Sequence, residues 1–198
     1  MENVPAKTLI TQTTMKIYMK IGFNASLVIL LILGSLFFTG CQKGDSFPIH
    51  LQKQPAECGA VCLQMILDHF GKKFSKDYLV KLTKTDYEIG VSMLGVANAA
   101  EALGLQATGV RVTYTQLKGE VALPCILHWR KHHFVVLYKV VQTIVGDKLY
   151  IADPAIGLFE YDDKLFCDNW YSEEKERQMY GLALLLEKTE KFKSTQEQ

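Results

Sequence analysis

Apolar and polar positions change their rhythm twice along this chain. Residues 1 to 20 are polar, and an apolar stretch from Ile21 to Phe38 follows, in which only Gly34 and Ser35 interrupt the run from Leu27 to Phe38. Beyond about Phe47 the period becomes helical. Cys58 to Phe70 carries Val61, Cys62, Met65, Ile66 and Phe70 at the spacing of one helix face, and Gly71 supplies a stop. Lys76 to Leu82 predicts a short helix. Ser92 to Leu103, with Leu94, Val96, Ala97, Ala100 and Leu103, predicts another that ends at Gly104. After this the pattern becomes that of strands: Ala107 to Thr113, Cys125 to Trp129, His133 to Val141 and Lys148 to Ala152, with a turn at Gly146-Asp147. Asp162 to Trp170 predicts a short helix and Gly181 to Leu186 a last strand, while the tail from Glu187 is polar and expected to fray. Helices first and antiparallel-looking strands after predict an α+β domain over 47–190. Residues 1–41 form a separate segment, and 191–198 a polar tail.

The first segment has the parts of a secretion signal. Lys7, Lys16 and Lys20 stand against the single acid Glu2, the apolar run follows, and Phe38-Thr39-Gly40-Cys41 precedes a polar stretch. The ending resembles a lipoprotein signal, with Cys41 as the lipidation site. The competing reading is a retained transmembrane helix over 17–38. Its apolar part, Ile21 to Phe38, would rise about 27 Å, close to the roughly 30 Å hydrocarbon core. Both attach the protein to a membrane, and lysines ahead of the run favour export of the body.

Charge narrows the function classes. The 22 Lys+Arg and 21 Asp+Glu of the 198 residues nearly cancel. Removing residues 1–41 takes away three lysines and one glutamate, leaving 19 basic and 20 acidic side chains. No nucleic-acid partner is expected of so neutral a body. Five cysteines, an odd number, do not read as a disulfide scaffold.

One of those cysteines sits where a nucleophile is made. Cys58 opens the first predicted helix, where unpaired backbone N–H groups and the positive end of the dipole stabilise a thiolate. Gly59 beside it is expected to let a substrate backbone approach. A thiol nucleophile needs a base and the base an orienting group. His133 begins one predicted strand and Asp153 ends the next, so a hairpin would bring imidazole and carboxylate side by side. The remaining candidates read as structure. Cys62, Cys125, Cys167, Trp129 and Trp170 are expected in the core, and Glu57 as a local capping acid. His128, His132 and His133 near Cys125 do not read as a zinc site, because strand alternation points His132 and His133 to opposite faces, so no metal or cofactor is expected.

The stretch Gln52-Lys53-Gln54-Pro55-Ala56-Glu57-Cys58-Gly59 with Cys62-Leu63 resembles the bacteriocin-processing cysteine peptidase domain. So do Pro124-Cys125-Ile126-Leu127-His128-Trp129, His133-Phe134-Val135-Val136-Leu137, Asp153-Pro154-Ala155 with Gly157, and Gly181-Leu182-Ala183-Leu184-Leu185-Leu186-Glu187. That domain is papain-like, with N-terminal helices packed on an antiparallel sheet. It usually begins peptide-exporting ABC transporters and cleaves precursor leaders after a Gly-Gly or Gly-Ala pair. The resemblance implies Cys58 as nucleophile, His133 as general base and acid, and Asp153 as orienter. It also implies Gln52, six residues before Cys58, as the oxyanion-hole amide; Gln54 competes but has the wrong spacing. The implied partners are a precursor with a Gly-Gly type leader and a separate ABC transporter. These 198 residues hold no second apolar span and no Walker-type glycine loop, so no ATP chemistry is expected of them. The family's usual cytoplasmic face competes with the envelope location that the N-terminal lysines favour. The reading is therefore a membrane-attached cysteine endopeptidase, and the alternative a non-catalytic leader-binding accessory protein of an exporter.

Overall fold

The computed structural model describes residues 46–130, 132–175 and 177–197. The proposed signal or anchor, including Cys41 and 17–38, lies outside them. The chain enters at Phe47, whose buried ring stacks on Tyr138 at 4.7 Å and leans on His69 at 5.1 Å. A single 3₁₀ turn, Pro55–Glu57, leads into α1, Cys58–His69.

Nine of the twelve residues of α1 are buried, so this is a central helix and not an amphipathic surface one. Its end is set by Gly71 at φ +89°, with Gly71 N–H donating to the Asp68 carbonyl and Lys72 N–H to that of Leu67. Ser75 caps α2, Lys76–Leu82, by accepting from Tyr78 N–H. Ser92 caps α3, Met93–Ala102, by accepting from Gly95 N–H.

The strands follow. They are β1, Leu105–Val112; β2, Cys125–Trp129; β3, His133–Thr143; β4, Gly146–Asp153; β5, Gly157–Asp162; β6, Glu173–Lys175; and β7, Gln178–Lys188. Among the described residues they form one antiparallel sheet in the order β1-β7-β2-β3-β4-β5, with β6 on the start of β7. Between β1 and β2 lies α4, Tyr114–Glu120; α5, Asp163–Trp170, follows β5; and α6, Glu190–Ser194, follows β7.

Both faces of the sheet are covered, which explains the near-continuous apolar runs of β2 and β3. Phe134, Val136, Ile126 and Ala152 pack with α1, α2 and α3. Val135, Leu137, Leu127 and Ile151 belong to a second core with Phe166 and Trp170 of α5 and Leu117 of α4. Alternate residues of one strand thus serve opposite cores, so a one-residue slip would exchange them. The β3–β4 ladder carries one irregularity, where Tyr138 is the extra residue between the pairs Leu137–Ile151 and Lys139–Tyr150.

The α+β class with helices on an antiparallel sheet stands, and five details differ from the sequence reading. Helix α4 and strands β5 and β6 were not expected. The tail does not fray at once: α6 buries Phe192, and Thr189 and Thr195 hydroxyls donate to the carbonyls of Gly104 and Leu103. Cys62, Cys125, Trp129 and Trp170 are core residues as expected, but Cys167 is only partly buried. No helix of the described residues is long and apolar enough to cross a membrane.

Candidate active site

Cys58 is the first residue of α1 and is almost fully buried. Its N–H belongs to the first helical turn, where backbone donors have no intrahelical acceptor. Opposite it, the β3–β4 hairpin brings its two open ends together. His133 begins β3, Asp153 ends β4, and His133 Nε2 lies 2.8 Å from Asp153 Oδ1. Asp153 is fixed in turn, because the same oxygen accepts from Ala155 N–H at 2.8 Å and its carbonyl accepts from Ile156 N–H. With Nε2 engaged, Nδ1 is the ring nitrogen left for a sulfur.

Burial of the imidazole disfavours its charge, yet hydrogen bonds and charge interactions with Asp153 and Cys58 outweigh that cost. They raise the His133 pKa from 6.5 to about 9. The ring is therefore protonated at neutral pH, the form that can hand a proton to a leaving group. Burial pushes Cys62 well up and Cys125 up to about 12, which keeps both inert.

The loop before Cys58 is held to the same hairpin. Gln52 N–H donates to the Pro154 carbonyl at 2.8 Å, immediately after Asp153. Gln52 itself is half-buried, and its Oε1 is buried with no hydrogen-bond partner among the described residues. Gln54, by contrast, is exposed. Glu57 is buried and caps backward: it makes no side-chain cap to α1, and its Oε2 accepts from Lys53 N–H at 2.7 Å and Gln54 N–H at 3.2 Å. Lys76 Nζ lies 3.0 and 2.8 Å from its two oxygens. Burial alone would raise the Glu57 pKa, but Lys76 and the two backbone donors together hold it below the ordinary value.

A cavity of about 370 Å³ opens beside Cys58, walled by Pro55, Ala56, Tyr87, Ile89, Val91 and Phe134 among others. A second, of about 280 Å³, shares Ile89, Val91, His132 and Phe134 with it and extends the cleft to Met93 and Leu182. The wall formed by 87–91 was missed in the sequence. Its signal was legible, since Asp86 Oδ1 accepts from Glu88 and Ile89 N–H in an Asx turn closed by Gly90 at φ +87°. Gly59 also has a packing role. A Cβ there would lie 2.6 Å from Val91 Cγ1 and 2.8 Å from Val96 Cγ2, so the residue is small to admit the cleft wall and α3. His132 lies in the turn before β3 and lines both cavities. Among the described residues no group of three or more His, Cys, Asp or Glu side chains is placed to hold a metal ion.

A helix-start thiol facing an imidazole–carboxylate pair at the end of an antiparallel sheet is the layout of the papain-like cysteine peptidases. Within that class the chain belongs to the Peptidase C39 family, whose model matches residues 46–174. The colicin V secretion/processing ATP-binding protein CvaB of Escherichia coli is 35% identical over 111 residues, 56% of this chain and 15% of the relative. The lactococcin-G-processing and transport ATP-binding protein LagD of Lactococcus lactis is 33% identical over 124 residues, 60% of this chain and 17% of the relative. The matches thus span about a sixth of those relatives' length. Among solved structures, a double glycine motif protease from an AMS/PCAT transporter, bound to its leader peptide, is 30% identical with a TM-score of 0.62. That match covers 73% of this chain and 93% of the other. The peptidase domain of Streptococcus ComA shares the fold at a TM-score of 0.60 and 24% identity, covering 73% of this chain and all of the domain.

Proposed function

We propose that this chain is a cysteine endopeptidase that removes double-glycine leaders from exported peptide precursors, attached to a membrane by its first 41 residues. The observation that carries the reading is the 2.8 Å His133–Asp153 pair beside the helix-start thiol. Cys58 Sγ adds to the scissile carbonyl, and the oxyanion accepts from the Cys58 N–H and the Gln52 amide. As the tetrahedral adduct collapses, the C–N bond breaks and His133 gives its proton to the departing amine. Water then adds to the thioester, His133 takes the water's proton, and Cys58 leaves as thiolate. Asp153 keeps the ring oriented throughout. The partner is a separate ABC-type exporter, consistent with relatives in which processing and transport share one name.

The test is cleavage of a double-glycine leader peptide by the full chain and by Cys58→Ala. Cleavage only by the former is expected. Binding by both with cleavage by neither would leave the accessory-protein reading. Membrane attachment has a separate readout: fatty-acid incorporation lost in Cys41→Ala supports the lipid, whereas membrane flotation without incorporation supports the span over 17–38. Protease accessibility of the body in intact cells separates the envelope location from the cytoplasmic face.

A further inference from the structure

Two groups of the proposed reaction, the Gln52 amide and the Cys58 sulfur, are joined by five residues that form no long element. The amide's Oε1 has no hydrogen-bond partner among the described residues, so that oxygen does not anchor it and the backbone that carries it matters the more. Three successive N–H groups pin that backbone. Gln52 donates to Pro154 on the catalytic hairpin, and Lys53 and Gln54 both donate to the Glu57 carboxylate. Lys76, the first residue of α2, locks the carboxylate from the far side. Glu57 makes no side-chain cap to α1; as the last residue of the 3₁₀ turn it closes a capping box with the Gln54 N–H, but capping alone does not account for its bond to the Lys53 N–H. Nor does the ion pair as such, since a buried pair weighed against its desolvation is a weak source of stability.

We propose that Glu57 is a positioning residue, which with Lys76 clamps the 52–54 backbone so that the Gln52 amide stays beside the Cys58 N–H. This rests on reading Cys58 as nucleophile and Gln52 as oxyanion donor. Glu57 touches neither thiol nor substrate and acts only through the loop. A glutamine at 57 would present one acceptor oxygen and an NH₂ that repels either the Lys53 and Gln54 donors or the Lys76 ammonium.

The experiment compares the full-length wild type with Glu57→Gln and Lys76→Met, using two reactions of the same thiol. Peptide cleavage builds an oxyanion; alkylation by iodoacetamide displaces iodide from carbon and builds none. Glu57→Gln is expected to lower kcat roughly 10- to 100-fold, as displacement of an oxyanion donor does, with KM and the Cys58 alkylation rate within about twofold. Lys76→Met keeps the carboxylate but removes the cation, the charged side chain facing it from α2. Protonation then sets in at higher pH, so the acid limb of kcat moves upward, a change that a merely structural role would not produce. The proposal is overturned if Glu57→Gln cleaves within twofold of wild type, if cleavage and alkylation fall in parallel, or if the acid limb of Lys76→Met does not move. Should Glu57→Gln fail to fold, Lys76→Met decides by its pH profile alone. A wild type that alkylates rapidly but cleaves no leader overturns the peptidase reading, and the positioning role falls with it.

Discussion

Replacing Asp153 by Asn tests the electrostatics of the site through stability as well as rate. In the folded chain His133 titrates at about 9 against 6.5 for a free imidazole. At about 1.4 kcal/mol per pH unit, that gap favours the folded state by at most about 3 kcal/mol. Because the folded pKa is the higher one, the contribution is complete below about pH 6.5 and is lost as the pH rises toward about 9. The asparagine keeps the shape but withdraws the charge and the stronger acceptor, while the burial that disfavours imidazolium remains. The wild type should therefore exceed the variant in unfolding free energy by more at about pH 6 than at about pH 9.5, the excess approaching 3 kcal/mol. Urea titrations of both chains at the two pH values measure it, and groups not coupled to the pair cancel in the difference. Peptide cleavage near neutral pH should fall about 100-fold or more, because the ring loses both its orientation and its proton. A stability difference that does not change with pH would refute the electrostatic account, since a purely steric defect has no reason to titrate.

Two further substitutions probe the frame. Gly59→Ala places a methyl against Val91 and Val96 and should cost about 1–3 kcal/mol by overpacking. It should also raise KM by displacing the cleft wall, and thermal melts with steady-state kinetics would show both; an unchanged melting temperature would contradict the close packing. Phe192→Ala removes a buried ring from α6 and should cost about 3–5 kcal/mol in urea unfolding with kcat unchanged. A loss near zero would mean that the tail adds nothing to the core.

What the sequence could reveal depended on how local the cause was. Strand β2 has the limits its apolar run implied, and the hairpin between His133 and Asp153 followed from two strand patterns and a Gly-Asp turn. Helix α4 was legible too: Thr113 and Gln116 form a capping box, a T-x-x-Q signature passed over. Strand β5 was not legible, because an edge strand with exposed Leu158 and Phe159 exists through its pairing with β4. The same holds for α6, a polar segment fixed by one buried phenylalanine and by bonds to residues some ninety positions away. The packing role of Gly59 was not legible, because its neighbours Val91 and Phe134 lie far along the chain. Glu57 was recognised as a capping acid, but its tie to Lys76 needed the packing of α2.

The two halves of the site are held by different kinds of bond, and this gives them different tolerances. His133 and Asp153 belong to one hairpin, so backbone hydrogen bonds fix their spacing as rungs fix the rails of a ladder. Cys58 meets them across the seam where α1 lies on β3, a joint made largely of non-directional apolar packing such as that among Ile66, Val136 and Ala152, with the Gln52 N–H to Pro154 bond as a directional tie just upstream. Loosening that joint would draw the thiol away while leaving the imidazole and carboxylate still clasped. The distance across the seam is thus a caliper on the core: reactivity at Cys58 reads how tightly helix and sheet are pressed together.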